Sequence, residues 1–489
     1  MRALIVVVCL VCTVLTPHAV PVAAADPQLT VMSRNLYLGA DVYAAAQRLP
    51  DVAAMAQFLW TQQQSTAFAE RADALAAEIT AARPDVIGLQ EAAQWYCRPA
   101  YSLSTDVVID YTALLLEALA SRGVHYQIAR ATGAPAAQHI GFSVPPVPWV
   151  TMVSDPARFA TRYGSDRAAC GFSVADVILV RADAADAVVR SGVSDYVYDY
   201  TLVPGMFDMN RGYAWIDLRV GSQHIRIVST HVEAFYYAGL QPYSIRQVDQ
   251  LIRDFRSTTG ALVVLGDFNN DPRDPVPSGV LNTGGMLPAS PACPAQRIAP
   301  TVATARTECN TYWLMRGAGF ADAGPDALDP NYRTWGYRAD LAGPALQRIL
   351  ESSLATAPDG LTTRLDYIFV RGPVTVHQAR VVGNGWPHIG WPCHDDTQRA
   401  ASAFAAQLLT GAVYGAAMCA PSDHAGVVAT LSVGVSPVET TVPPTQYAHT
   451  YTVVLVAVVF GGALWWWRVR RVRRRRFGRW TVVIRWRRG

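Results

Sequence analysis

Lysine is missing from this chain: all 41 basic residues are arginine. With alanine so abundant, that reads as compositional bias. Charge of either sign is scarce, at 16% against 51% hydrophobic residues, which suits a well-buried core plus membrane segments. Positive charge is scarcer still outside the C-terminus. Eleven arginines follow Trp467 with no acid among them, so the remainder carries −8 against +3 for the whole chain. That balance argues against a nucleic-acid surface built on bulk positive charge. No C-x-x-C pair occurs, so thiolate metal sites are not expected. No Walker-type glycine loop, internal repeat or Leu-Pro-x-Thr-Gly signal is present either.

The termini carry what the middle lacks. Met1-Arg2, the apolar Ala3–Leu15 and the small residues Val22–Ala25 read as a secretory signal peptide over 1–25. Tyr451–Trp467 is an apolar run closing on three tryptophans and then the arginines, the pattern of a membrane helix with a positive-inside flank. At about 1.5 Å per residue it is near the short limit for a span. The proline-bearing stretch 432–450 reads as a linker, and 468–489 as a cytoplasmic tail held to anionic lipid. The expected architecture is a single-pass protein of the cell membrane whose large domain, 26–431, is extracellular.

Cys9 and Cys12 fall in the signal peptide, leaving six of the eight cysteines. An even number in an exported chain predicts disulfides. Neighbour pairing (97–170, 293–309, 393–419) is the simplest arrangement, and spacing alone does not select it.

Leu262–Asn270, reading Leu-Val-Val-Leu-Gly-Asp-Phe-Asn-Asn, is the stretch the domain is organised around. Four apolar β-formers halted by glycine predict a strand buried on both faces. Alternation places Asp267 and Asn269 on one side and Phe268 in the core. Further strands are predicted over Leu29–Asn35, Asp85–Glu91, Val177–Arg181, Asp366–Arg371 and Val427–Val433, with a hairpin from Tyr213–Val220 and His224–Thr230. Helical spacing marks Ala67–Ala82, Tyr111–Ser121 and Arg246–Arg256, and the proline-rich Gly133–Trp149 reads as a loop.

Polar groups of one chemical type recur at the strand ends: Asn35, Glu91, His231, Asp267 with Asn269, Asp366, and Asp423 with His424. Singly, each has a structural reading: a turn residue, a helix cap, a satisfied core histidine. Jointly they do not, because burying such groups without partners costs several kcal/mol each. They must serve one another or a ligand.

The order Asn, Leu-Gln-Glu, Thr-His, Gly-Asp-Phe-Asn, Leu-Asp-Tyr-Ile, Ser-Asp-His resembles the endonuclease/exonuclease/phosphatase superfamily, from about Leu29 to Leu431. The resemblance implies an α/β (α+β) fold, a four-layer sandwich of two mostly antiparallel β-sheets flanked by helices. It implies Glu91 as principal Mg²⁺ ligand, with Asn35 beside it and Asp423 next to metal or phosphate; Mn²⁺ or Ca²⁺ are alternatives. Asp267 and Asn269 would position the scissile phosphate and the attacking water. His424 would be the essential histidine, oriented by Asp366, with His231 the second histidine and Arg211 approaching phosphate. The chemistry suits these residue types: a phosphodiester is anionic, and its attack by water needs cation charge and a base.

The expected function is therefore a metal-dependent phosphodiesterase. Asn35-Leu36-Tyr37, Thr230-His231 and export resemble the sphingomyelinase and secreted-nuclease branches, making the substrate a nucleic acid or a phospholipid headgroup. Phe235-Tyr236-Tyr237 is a candidate bilayer-contacting run. The alternative from another class is a surface binding module that has lost catalysis.

Overall fold

Two stretches of the chain form parallel strand pairs, and they set the geometry of everything else. Gln28–Asn35 pairs with Val86–Arg98, and Gln223–His231 pairs with Ala261–Asp267. A parallel pair needs a crossover. Helices Val52–Ser65 and Phe68–Ala82 supply the first, and helix Tyr243–Asp254 the second. In each pair both strands run toward the same edge, so residues late in both arrive side by side.

The computed structural model describes residues 27–434, apart from 204–206, 236–240, 276–292, 296–300, 302, 339, 344–359 and 414–416. The expected signal peptide, membrane helix and arginine tail lie outside the described residues, as do Tyr236 and Tyr237. No described helix is long and apolar enough to cross a membrane.

The first pair is central to an 11-stranded sheet with main order Val374–Val382, Gly426–Val433, Gln28–Asn35, Val86–Arg98, Arg167–Arg181, Gln138–Val144, Phe207–Met209, Tyr200–Val203. The second is central to a 6-stranded sheet, ordered Ala321–Asp322, Asp366–Arg371, Ala261–Asp267, Gln223–His231, Gly212–Val220, Val188–Asp195. The other described ladders are antiparallel, so the fold is α/β with mixed sheets flanked by helices.

Three apolar clusters hold the layers together. Val31, Val86, Ile178, Ile216, Ile227, Val263, Leu265, Ile368 and Val427 are the meeting faces of the two sheets. Leu59, Leu75, Ile79 and Leu115 pack helices over the first sheet's outer face, and Val248, Leu251 and Tyr312 pack helices over the second's. Each such aliphatic side chain, fully buried, contributes about 1.5–3 kcal/mol. Phe268 is fully buried in the second helical layer, as alternation requires.

Helix Tyr111–Ser121 and strand Asp366–Arg371 match the expected bounds. Two expectations need correction. Gln138–Val144 is a strand inside the predicted loop, its pattern masked by flanking prolines. The strand predicted to end at Glu91 runs on to Arg98, with a register shift between Leu89 and Ala92. That shift is a bulge, with Glu91 at φ 56°. The last strand, Gly426–Val433, ends where expected and begins one residue earlier.

The cysteines pair as neighbours: Cys97–Cys170, Cys293–Cys309 and Cys393–Cys419, with Cα separations of 4.1, 5.6 and 5.1 Å. Cys97 and Cys170 face one another across an antiparallel ladder.

Candidate active site

Register brings the polar strand ends of the second sheet into one row. His231 lies opposite Asp267, and Asp267 opposite Asp366. Gly266 permits this: at φ +151° it lies so close to Thr230 that a Cβ would stand 1.9 Å from that residue's carbonyl oxygen. Asn35 and Glu91 come from the first sheet, and His424 from the turn before its strand Gly426–Val433.

The His424 ring sits between two carboxylates. Its Nδ1 lies 2.8 Å from Asp366 Oδ2, and its Nε2 lies 3.5 Å from Asp267 Oδ2. All three residues are buried. Burial opposes charge on the ring, but Asp366, Asp267 and Asp423 outweigh it and raise the pKa to about 10. Burial also raises Asp267, to about 7, with His424 pulling the other way. The ring therefore carries the proton at neutral pH, and Nδ1–H donates to Asp366. Thr334 braces the dyad by accepting from the Asp366 amide, at 3.1 Å.

His231 faces the same oxygen from the other side, with Nε2 3.6 Å from Asp267 Oδ2. Its environment is opposite. Burial lowers its pKa well below the usual histidine range, and the Arg211 and His424 charges add to that. Arg211 Nη1 lies 3.0 Å from His231 Nδ1, and Arg211 Nε donates to Glu233 at 3.3 Å. The expected phosphate contact thus stands behind the histidine, buried, with a carboxylate partner.

Asn269 adopts φ 48°, a conformation asparagine tolerates. Its backbone N–H donates to Asp267 Oδ1 at 2.9 Å and its side-chain amide to the Val232 carbonyl at 2.8 Å. As placed, Asn269 orients Asp267 and ties two strand ends together.

The bulge turns Glu91 toward this cluster, where its carboxylate accepts from Leu38 N–H at 2.7 Å and from Asn35 Nδ2 at 3.4 Å. Asn35 Nδ2 also donates to Asp267 Oδ2 at 3.1 Å, so one amide links the two carboxylates. The Asn35 oxygen accepts from Tyr37 N–H at 2.9 Å. This differs from the expected ligand role: the atom aimed at the carboxylates is a donor, and offering the oxygen would require turning the amide and losing the Tyr37 bond. Asp423 accepts from the Trp335 indole at 3.3 Å and acts on His424 and Tyr37 through its charge.

A hard cation fits at Glu91. Its carboxylate has only N–H donors around it and, among the described residues, no arginine or histidine within ion-pair distance. Carboxylate oxygen is the donor Mg²⁺ takes. Ligating atoms of Asp267, Asp366 and His424 lie within 4.8 Å of one another. That trio is better read as a proton-bearing chain, since an ion at His424 Nε2 would have to displace the proton that its two carboxylate neighbours hold on the ring.

Four contributors were not expected from sequence. Asp176 is buried, and burial raises its pKa well above the usual carboxylate range, offset by Arg211. A lone aspartate interrupting an apolar strand was the available signal. Glu233 and Trp335 carried none. Arg71 is fully buried and donates to the carbonyls of Leu36, Tyr37, Thr66 and Pro421, pinning the segments beside Asn35 and Ser422. Its place three residues after Phe68 and four before Leu75, on the apolar stripe of the helix, was the available signal. A separate cavity of about 590 Å³, lined by Gln63, Phe68, Ile109 and Arg158 among others, shares no residue with this site.

The model of the endonuclease/exonuclease/phosphatase family matches residues 57–424, a span beginning after Asn35. No curated protein matches the chain. Among solved structures, an endonuclease/exonuclease/phosphatase from Beutenbergia cavernae DSM 12333 is 17% identical, covering 84% of this chain and 73% of its own, with a TM-score of 0.40. A family protein from Bacteroides thetaiotaomicron is 12% identical, covering 84% and 100%, with a TM-score of 0.40. D. rerio TDP2, solved with a single-strand DNA product, is 14% identical, covering 83% and 100%, with a TM-score of 0.35.

Proposed function

Because this chain belongs to the endonuclease/exonuclease/phosphatase family, whose members hydrolyse phosphoester bonds, we propose that it is a divalent-cation-dependent phosphodiesterase, exported and tethered by its C-terminal segment on the pattern of its two termini. The observation that carries the reading is the meeting of His424, His231 and Asn35 on one oxygen, Asp267 Oδ2, at 3.5, 3.6 and 3.1 Å. Three side chains from three parts of the chain aimed at one oxygen are a poor design for stability and a good one for placing a reacting group.

Asp267 takes the proton of the attacking water. A carboxylate held near 7 is matched to that task at neutral pH. His424, charged and backed by Asp366, donates to the phosphate oxygens or the departing oxygen. Charge separated in this way supports giving the base and acid roles to different residues. Asn269 and Asn35 hold Asp267 in position. Glu91 would hold Mg²⁺, which supplies positive charge to the non-bridging oxygens when bound.

The substrate proposed is a nucleic acid strand or a phospholipid headgroup, both phosphodiesters. Hydrolysis of bis-p-nitrophenyl phosphate by the full chain, with Mg²⁺ and with chelator, tests the chemistry. Activity lost on chelation and in His424→Ala and Asp267→Ala is expected. Unchanged turnover in both variants would sink the site assignment, and no turnover by any protein favours the binding module. Plasmid DNA, RNA and sphingomyelin assayed in parallel divide the substrate classes.

A further inference from the structure

The two histidines that face Asp267 are backed by opposite partners. Behind His424 stands a carboxylate, Asp366, 2.8 Å from Nδ1. Behind His231 stands a guanidinium, Arg211, 3.0 Å from Nδ1. We infer that Arg211 is a positioning residue that fixes His231 as a neutral ring with its proton on Nε2, so that this histidine serves as a fixed hydrogen-bond donor toward the reacting group and not as an acid or base.

A guanidinium has only N–H groups to offer and cannot accept. His231 Nδ1 must then be the acceptor, with its lone pair aimed at Arg211. A neutral imidazole carries one proton, so that proton is on Nε2, the atom facing Asp267. Protonating Nδ1 as well would set N–H against N–H and two positive charges side by side. Both residues are buried, so solvent would not relieve the repulsion. Burial and the neighbouring charges act in the same direction, disfavouring the charged ring.

Arg211 is itself held in place. Its Nε donates to Glu233 Oε2 at 3.3 Å, and Glu233 is buried, its other oxygen accepting from Phe235 N–H at 3.0 Å. The backbone around Arg211 is pinned as well: its N–H donates to Asp199 Oδ1 at 3.3 Å and its carbonyl accepts from Tyr196 at 2.8 Å. The guanidinium cannot swing away without taking the cation from a buried carboxylate and the donor from its Oε2. Substrate-side Nε2–H and a locked ring orientation follow from that anchoring. The division of labour is that one histidine moves a proton and the other holds its proton still.

The term "reacting group" rests on the phosphodiesterase reading above; the tautomer does not. The test is long-range ¹H–¹⁵N correlation on the full chain labelled at histidine, with His231→Gln used to assign the signals. Wild type is expected to show, near neutral pH, one His231 nitrogen protonated (Nε2) and a bare Nδ1. Arg211→Lys, which retains a donor, should keep that pattern. Arg211→Glu, which supplies an acceptor, should move the proton to Nδ1. In turnover, Arg211→Met should lose up to about a hundredfold in kcat, the scale of a mispositioned group, with a smaller change in KM, and Arg211→Lys should recover part of it. A wild-type ring protonated on Nδ1 or on both nitrogens overturns the inference. So does a tautomer that is identical in wild type and Arg211→Glu. The wild-type spectrum decides even if a variant fails to fold, and it is read without any turnover, so loss of the enzymatic reading would leave it standing or falling on its own.

Discussion

Asp366→Asn is the most searching single substitution, because it removes the carboxylate behind His424 while nearly preserving shape. In the folded chain the ring titrates near 10, against about 6.5 when exposed. A pKa raised on folding stabilises the folded state fully below the unfolded value and is lost as pH rises through the folded one. The unfolded chain releases the His424 proton near 6.5 and the folded chain keeps it to about 10. Unfolding free energy should therefore fall with rising pH over this window, by at most about 1.4 kcal/mol per unit. Asp267 contributes with the same sign, but its share is spent by about pH 7. The window from 7 to 10 lies beyond Asp267 and holds the histidine's contribution, up to about 4 kcal/mol, which the difference between wild type and variant isolates. In Asp366→Asn the largest source of the upward shift is gone while burial remains, so the slope in that window should flatten. Urea unfolding of the full chain followed by tryptophan fluorescence, at pH 7 through 10, gives both curves. Turnover should drop by about 10²–10⁴ in the variant, the range spanned by general acid–base catalysis. Parallel pH slopes in wild type and variant would refute the account of His424 as a carboxylate-held cation.

Two further outcomes follow from the same geometry. Glu91→Gln keeps an acceptor for the Leu38 amide but removes the unpaired charge, so Mg²⁺ affinity measured by calorimetry should fall at least about tenfold with little change in thermal stability; unchanged affinity would place the ion elsewhere. Gly266→Ala puts a Cβ 1.9 Å from the Thr230 carbonyl oxygen at φ +151°, and should cost about 2–4 kcal/mol in unfolding free energy; a variant as stable as wild type would refute the need for glycine at this strand contact.

Much of the chemistry was legible in the linear chain, for a physical reason. Residues that must be both apolar-flanked and ionisable are rare, so Asp267 after four buried aliphatics, or Asp366 between Leu365 and Tyr367, stands out in one dimension. The helices Phe68–Ala82 and Tyr111–Ser121 were legible because one apolar stripe on a single helix is a local property. Charge sparsity and cysteine parity were local in the same sense.

What sequence could not carry is direction and distance. Glu91 was expected at a strand end and lies in a bulge, because a left-handed residue inside a continuing ladder leaves no compositional mark. Asn35 was expected to offer oxygen and instead offers its amide nitrogen, since the Tyr37 N–H, two residues away, claims the oxygen. Arg211 was expected at the phosphate and stands behind His231, where the burial of Glu233 draws it. Asp176 and Arg71 fall within the apolar pattern of a strand and a helix, but their partners came into view only with packing, because what a buried charge meets depends on what the fold places opposite it. Residue chemistry is written along the chain; which atom of a residue meets which other is decided by the parallel register of two strand pairs and the sheets that close on them.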